Sequence, residues 1–195
     1  MKTVLLFLAE GFEEIEALTV VDILRRAGVQ CDMCSLKGTY VTGSHGIEVK
    51  SDICLDDIDQ RGYDAVVLPG GPGAEVLKNN VRVVQLVKDF YMSGRITAAI
   101  CAAPIVLAEA GIVNGHNVTS YPSVKNVLDN SVYKEDLVVL HNNILTSRGP
   151  ATAFPFAYAL LEALGLEKEA EELKEGMLYN FATSCNREYY FCKNT

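Results

Sequence analysis

The sequence predicts an α/β fold in which helices cover both faces of a mostly parallel central sheet. Short, nearly continuous apolar runs alternate with longer amphipathic segments, and several runs end in glycine or proline. Strands buried on both faces show such continuous apolar runs, and strand–helix alternation favours parallel pairing. The chain has 195 residues, 49% of them hydrophobic, so we expect one domain over 1–195.

The elements follow one another closely along the chain. Residues 3–9 form the first strand, and a helix over 14–27 ends at Gly28, where glycine commonly caps a helix. Further strands are expected at 29–35, 39–42, 46–50, 64–68, 96–100, 117–119, 137–140 and 144–146, and further helices at 81–93, 102–110, 152–164 and 167–175. Ligands of such sheets bind where loops leave the carboxyl ends of strands.

Composition excludes several classes of function. The net charge of −8 argues against a strong nucleic-acid footprint, and no apolar run reaches the roughly 20 residues that span a bilayer. Residues 3–9 resemble the start of a signal peptide, but four glutamates follow between 10 and 16. We therefore interpret 3–9 as a buried strand and expect a cytoplasmic protein without a membrane partner.

Six cysteines are too few for a disulfide scaffold in a chain of this size. Cys31 and Cys34 form a C-x-x-C pair within the strand predicted at 29–35. Because residues three apart on a strand point to opposite faces, the two thiols cannot easily share a ligand. We expect them to be packing residues and predict no metal site.

Cys101 is the most prominent candidate nucleophile. It lies between the strand at 96–100 and the next helix, with small residues around it and Pro104 in the first helical turn. This arrangement is a strand–nucleophile–helix elbow of the kind found in hydrolases. A helix N-terminus favours thiolate, so the pattern predicts a lowered thiol pKa. The alternative is a small buried cysteine that only packs.

Two further segments follow predicted strands. Gly70 and Gly71 come directly after the strand at 64–68, where glycines let backbone N–H groups approach a ligand and stabilise an oxyanion. The glutamates at 13 and 14 are typical of a solvated first helical turn. Glu16 lies among apolar residues, where a partly buried carboxyl could act as general acid or base.

Taken together, these motifs resemble the ThiJ/PfpI superfamily, most closely its parkinsonism-associated deglycase branch with the YajL-like bacterial proteins. The match extends over roughly residues 1–178. It consists of A-E-G-F-E-E-I-E at 9–16, V-V-L-P-G-G at 66–71, A-A-I-C-A-A-P at 98–104 and L-T-S-R-G-P-A-T at 145–152.

The resemblance implies a flavodoxin-like three-layer sandwich and a homodimer. It implies that Cys101 is the reactive nucleophile and that Glu16 hydrogen-bonds its sulfur. It places the backbone amides of Gly70, Gly71 and Ala102 around an oxyanion or substrate. Tyr121, and Arg26 near the dimer interface, complete the implied substrate-binding set.

This chain departs from the family at several positions. Tyr121 occupies a position where relatives often have histidine, and His45 one where some have an anion-binding arginine. His116 and His141 lack the downstream glutamate of class I amidotransferases, so we expect neither to be catalytic. Residues 181–195 extend beyond the matching region.

The first predicted helix is apolar on most sides, which favours burial on more than one side. One side can cover the sheet, and the other can meet a second copy of the chain, which agrees with a homodimer. The alternative is that the C-terminal segment covers this second side within one chain.

The functional prediction is a cofactor-independent glyoxalase or protein deglycase that acts on glyoxal, methylglyoxal or their early protein adducts. Its cysteine is expected to be sensitive to oxidation. A redox sensor or oxidative-stress chaperone without significant turnover is the alternative. A third interpretation, an inert relative that only binds partners, is disfavoured by the retained cysteine, glutamate and glycines.

Overall fold

A computed structural model describes residues 1–184 of the chain. The strands are β1 (Thr3–Leu8), β2 (Gln30–Ser35), β3 (Tyr40–Thr42), β4 (Glu48–Lys50), β5 (Ile53–Cys54), β6 (Ala65–Leu68), β7 (Ile96–Ile100), β8 (Asn117–Val118), β9 (Val132–Tyr133), β10 (Val138–His141) and β11 (Ile144–Ser147). The helices are α1 (Glu14–Arg26), α2 (Gly73–Lys78), α3 (Val81–Met92), α4 (Pro104–Glu109), α5 (Ala153–Ala163), α6 (Glu167–Gly176) and α7 (Tyr179–Ser184).

Seven strands form the central sheet, in the order β10-β11-β7-β6-β1-β2-β5. Neighbouring strands are parallel except β10 and β11. The predicted α/β fold with a mostly parallel sheet is thereby confirmed. The exception has a local cause, because Asn142 and Asn143 alone connect β10 to β11, and so short a connection joins only antiparallel strands.

The sheet separates two hydrophobic cores. Alternate residues of β1 belong to different cores: Leu6 packs with α1 and α5, whereas Phe7 packs with α3 and α4. The same alternation places Cys31 in the first core and Cys34 in the second. This confirms that the C-x-x-C pair spans the sheet and cannot form one ligand site.

The structure differs from the sequence prediction in its short elements. The six-residue helix α2 directly follows the proline–glycine turn and was not predicted, and neither was β5. The predicted helix at 102–110 begins only at Pro104, because a turn first carries the chain away from β7. Strands β3 and β4 pair with each other in a separate antiparallel hairpin.

Helix α1 has most of its apolar surface covered within the chain. It packs against β2 and α5. Helix α5 therefore covers apolar surface that was predicted to face a second copy of the chain or the C-terminal segment. Ile15, in its first turn, remains 53% exposed.

Of the predicted extension at 181–195, the structure describes only residues 181–184, at the end of α7. Cys185, Cys192 and the aromatic run at 189–191 lie outside the described residues. Within residues 1–184, no helix is long and apolar enough to cross a membrane.

Candidate active site

Cys101 lies at the turn between β7 and α4. Its backbone φ is 63°, in the left-handed region that residues with a side chain rarely adopt. Two hydrogen bonds hold it there: its N–H donates to the Ser147 carbonyl (3.0 Å), and its carbonyl accepts from the Tyr121 N–H (2.8 Å). Pro104 begins α4 at once. The local structure is the elbow that the sequence predicts, with a thiol held on a strained turn.

Glu16 is completely buried beside this turn. Its Oε2 accepts a hydrogen bond from the Gly70 N–H at 2.7 Å, and its carboxyl group lies next to the Cys101 thiol. Among residues 1–184, Oε1 has no hydrogen-bond partner. Burial raises the pKa of Glu16 to about 7, although the neighbouring Cys101 thiol and the Gly70 N–H favour the ionised form. The carboxyl can therefore hold a proton near neutral pH.

Cys101 is only 8% exposed. Burial, followed by the charge and hydrogen bond of Glu16, raises the pKa of the Cys101 thiol, while N–H groups of Ala102 and Gly71 act in the opposite direction. The predicted lowering of the thiol pKa is therefore not found, because the thiol is buried and a carboxyl lies alongside. The two groups titrate as a pair.

Gly70 and Gly71 bring the backbone close to the nucleophile. A Cβ on Gly70 would lie 2.7 Å from Glu16 Oε2 and 2.8 Å from the Cys101 Cβ. Gly71 has a φ of 75° and equally little room. The Gly70 amide was expected to face a substrate. It instead donates to Glu16 and positions the carboxyl. The N–H groups of Gly71 and Ala102 lie near enough to the sulfur to oppose the rise of the thiol pKa.

Glu13 is buried rather than solvated, contrary to the sequence expectation. Its side chain caps α1 by accepting a hydrogen bond from the Glu16 N–H at 2.8 Å. Its own N–H donates to the Gly70 carbonyl at 3.1 Å. Glu13 thus joins the start of α1 to the glycine-rich turn and fixes the position of Glu16.

Glu14 is also buried, and its carboxylate holds the β3–β4 loop. It accepts hydrogen bonds from the His45 N–H (2.7 Å), the Ser44 hydroxyl (3.1 Å) and His45 Nδ1 (2.8 Å). Burial alone would raise its pKa, but the bonds from His45 and Ser44 outweigh burial and lower the pKa to about 2. The carboxyl occupies the space that a side chain on Gly43 would need.

Glu13, Glu14 and His45 each place a potential metal ligand within 4.8 Å of the others. Both oxygens of Glu14 are already engaged by the loop. We therefore assign this cluster a structural role.

Two residues of the implied substrate-binding set lie in different places. Tyr121 is beside the nucleophile, with its ring 47% exposed and facing Gly149. Arg26 is ten residues beyond Glu16 on α1, about 15 Å along the helix axis at 1.5 Å per residue. Its Nε binds Asp22 at 2.7 Å. Within this chain Arg26 lies away from Cys101.

His116 and His141 pack together at the opposite end of the sheet, with ring centroids 4.9 Å apart. His116 Nε2 lies 2.9 Å from the Tyr91 hydroxyl, and His141 Nδ1 accepts from the Asn117 N–H at 2.8 Å. Both histidines therefore lie away from Cys101.

Sequence reasoning missed Arg148. It follows β11 directly, next to the end of β7 that carries Cys101. It borders a cavity of about 300 Å³ together with Tyr121, Leu137 and Pro150. A basic residue immediately after a strand that neighbours the nucleophile's strand was the available signal.

Known proteins are similar to this chain over most of its length. A model of the DJ-1/PfpI family matches residues 2–163. Protein dj-1beta of Drosophila melanogaster is 38% identical over 181 residues, which cover 91% of this chain and 97% of the relative. A Caenorhabditis elegans relative named glutathione-independent glyoxalase DJR-1.2 is 36% identical over 168 residues, covering 85% and 90%.

Solved structures of proteins named DJ-1 also match the fold of this chain. The crystal structure of Drosophila melanogaster DJ-1beta matches with a TM-score of 0.87 at 39% identity, covering 91% of this chain and 97% of that one. Oxidized Toxoplasma gondii DJ-1 matches with a TM-score of 0.86 at 33% identity, covering 91% and 98%.

Proposed function

The chain belongs to the DJ-1/PfpI family, and we propose that it is a cofactor-independent, cysteine-dependent glyoxalase and protein deglycase. Its substrates in this proposal are glyoxal, methylglyoxal and their early adducts on protein side chains. The proposal rests on the buried Cys101–Glu16 pair, whose sulfur is approached by the N–H groups of Gly71 and Ala102. The glyoxalase name of the Caenorhabditis elegans relative supports the same class of reaction.

The first step is addition of Cys101 to the aldehyde. The Cys101 thiolate attacks the aldehyde carbon of methylglyoxal while Glu16 holds the proton of the pair. The C–S bond forms, and the carbonyl electron pair moves to oxygen. The N–H groups of Gly71 and Ala102 stabilise the resulting oxyanion, which becomes the hydroxyl of a hemithioacetal.

The second step is an internal oxidation and reduction. Glu16 moves a proton from the former aldehyde carbon to the neighbouring ketone carbon, and the hydroxyl proton of the hemithioacetal passes to the former ketone oxygen. The first carbon is oxidised to a thioester and the second is reduced to an alcohol, so no external oxidant is needed. Water then hydrolyses the thioester, which releases lactate and restores the Cys101 thiol. Glyoxal gives glycolate by the same route.

The test is conversion of methylglyoxal to lactate without glutathione, comparing the wild-type protein with Cys101→Ala. Lactate must be quantified directly, because reversible adduct formation also consumes methylglyoxal. Cys54→Ala is the matched control, since Cys54 is a free and more exposed thiol far along the chain from the elbow. We expect lactate from the wild type and the control only. Undiminished lactate production by Cys101→Ala would contradict the mechanism.

Oxidation sensing is a second candidate function for the same thiol. The donors around the sulfur can also hold the oxygens of a sulfinic acid, with protonated Glu16 and the Gly71 and Ala102 amides as partners. Exposure alone predicts that peroxide oxidises Cys54 before Cys101. Mass spectrometry showing two oxygens on Cys101 first would support sensing, whereas preferential oxidation of Cys54 would count against it.

We also propose that the protein is a cytoplasmic homodimer that uses the start of α1. Ile15 is an exposed apolar residue in the first turn of this helix. Light scattering should give twice the chain mass for the wild type, and Ile15→Asp should shift the protein toward the monomer. A monomeric wild type would refute the dimer.

A further inference from the structure

We infer that Arg148 forms an anion-binding subsite beside the proposed reaction centre, and that the preferred substrates are α-oxoaldehydes carrying a carboxylate. The inference rests on the proposed function, because it assigns a substrate class to the same site. It depends on an unpartnered buried donor, a cavity next to the nucleophile and the chemistry of the cavity wall.

The Arg148 guanidinium is the unpartnered donor. Its Nη1 is buried and has no hydrogen-bond partner among residues 1–184. A buried charged donor without an acceptor is costly, because the protein does not replace the hydrogen bonds that water would make. Arg148 as a whole is only partly buried, so an anion bound against its side chain can supply the missing acceptor.

The cavity lies on the chain segments that hold Cys101. Arg148 follows Ser147, whose carbonyl accepts the Cys101 N–H, and the Tyr121 N–H donates to the Cys101 carbonyl. The cavity between these segments is lined by Tyr121, Pro122, Leu137, Arg148, Pro150 and Thr152. Its volume of about 300 Å³ is at the lower end of the range of small-molecule sites.

Arg148 is the residue of the cavity wall that can bind a charged group. Arg148 is the one charged residue among those that line the cavity in the described chain. The Thr152 hydroxyl is occupied, because it donates to the Gly149 carbonyl (2.8 Å) and lies 2.6 Å from Ser147 Oγ. Pro122, Leu137 and Pro150 are apolar. A planar guanidinium in apolar surroundings suits a carboxylate, which can accept two parallel hydrogen bonds.

A substrate that reacts with Cys101 and binds Arg148 needs an aldehyde at one end and a carboxylate at the other. The compound 4,5-dioxopentanoate has this form, with two methylene groups between the ketone and the carboxylate. Its neutral counterpart, 2-oxopentanal, has the same dicarbonyl and a propyl chain. In our assignment the aldehyde reacts at Cys101 while the carboxylate binds Arg148.

The experiment compares kcat/KM for these two compounds in the wild type, Arg148→Met and Arg148→Lys. The ratio of the two values within each variant cancels any general loss of activity. We expect the wild type to prefer the carboxylate by about 10- to 100-fold. Arg148→Met should bring the ratio close to one, mainly through KM for the anionic compound, and Arg148→Lys should retain part of the preference.

Arg61→Met is the matched control, since Arg61 is exposed and pairs with Asp59 away from the cavity. It should keep the wild-type ratio. An unchanged ratio in Arg148→Met would overturn the inference.

If the wild type turns over neither compound, the proposed function fails and the subsite is tested by binding. The probe is 4-oxopentanoate, which keeps the carboxylate but lacks the aldehyde. Saturable binding in calorimetry that Arg148→Met weakens tenfold or more would support the subsite. No binding, or equal binding by both proteins, would refute it.

Discussion

Glu14 and Glu16 lie in the same turn of α1, and both are buried, yet their surroundings shift their pKa values in opposite directions. The pKa of Glu14 falls to about 2, and that of Glu16 rises to about 7. Glu14 receives three hydrogen bonds from Ser44 and His45. Glu16 receives one from the Gly70 backbone and lies beside the Cys101 thiol.

Burial alone does not decide whether a carboxyl group of this protein is ionised. Burial raises the pKa of both groups, and the number of donors decides whether the ionised form prevails. Glu14 is ionised near neutral pH and holds a loop. Glu16 keeps a proton available near neutral pH, as a general acid and base requires.

The largest expected effect is on turnover in Glu16→Gln. Glutamine keeps the shape of the side chain but cannot take up and return a proton, so we expect kcat to fall by about 10²- to 10⁴-fold. Glu14→Gln is the matched control, with a substitution of the same chemistry two positions away. Equal losses of lactate production in the two variants would contradict the assignment of separate roles.

The next effect concerns the space between Glu16 and Cys101. The added methyl group of Gly70→Ala would collide with both side chains, which must then move. Displacing reacting groups by about 1 Å can cost 10²-fold, and we expect a loss of that order in kcat/KM. Gly62→Ala serves as control, because a Cβ there meets nothing within 4 Å. Full activity in Gly70→Ala would show that the close approach is unnecessary.

Stability should respond to pH in opposite ways at the two glutamates. The Glu14 pKa is lowered from 4.5 to about 2, so its stabilisation is present above pH 4.5 and is lost as pH falls toward 2. The Glu16 pKa is raised from 4.5 to about 7, so its ionisation destabilises the fold increasingly between pH 4.5 and 7.

Urea unfolding at several pH values measures how the stability contribution of each glutamate changes with pH. At pH 8 Glu14→Gln should be less stable than the wild type by about 1–3 kcal/mol, because a buried network loses its anionic acceptor. Glu16→Gln should be at least as stable as the wild type at that pH. Destabilisation of Glu16→Gln at pH 8 would show that this carboxyl is structural.

The smallest effect is expected for His45→Ala, which removes one donor from Glu14. Glu14 keeps the backbone N–H of residue 45 and the Ser44 hydroxyl, so stability should fall less than in Glu14→Gln. The bond to Glu14 raises the His45 pKa above 6.5, so the loss should be largest below pH 6.5 and shrink as pH rises. Thermal melts from pH 5 to 8 measure it. A loss that grows with pH would contradict this pairing.

Structural features that depend on residues close together in the chain could be predicted from the sequence. Small residues around Cys101 and the following Pro104 predicted the elbow, and continuous apolar runs predicted the parallel sheet. The antiparallel pairing of β10 with β11 was not predicted, although the two-residue connection at 142–143 is a hairpin signal.

Features that depend on distant residues could not be predicted in the same way. Gly70 binds Glu16 from 54 positions away, and nothing near Glu16 indicates that contact. The burial of Glu14 depends on the missing side chain of Gly43. The expectation for the thiol pKa failed for the same reason, since a helix end is visible in the sequence but the burial of the thiol and its adjacent carboxyl are not.

The bond between the Cys101 N–H and the Ser147 carbonyl has a consequence for biosynthesis. A ribosome adds the 46 residues from Cys101 to Ser147 (147 − 101) in about 2–9 s, at roughly 5–20 residues per second. During that interval β7 lacks its neighbour β11, and the nascent thiol lacks the acceptor that holds its turn. An open strand edge of this kind invites pairing with other chains. The newly made protein therefore passes through an aggregation-sensitive stage before its cysteine is held in the elbow.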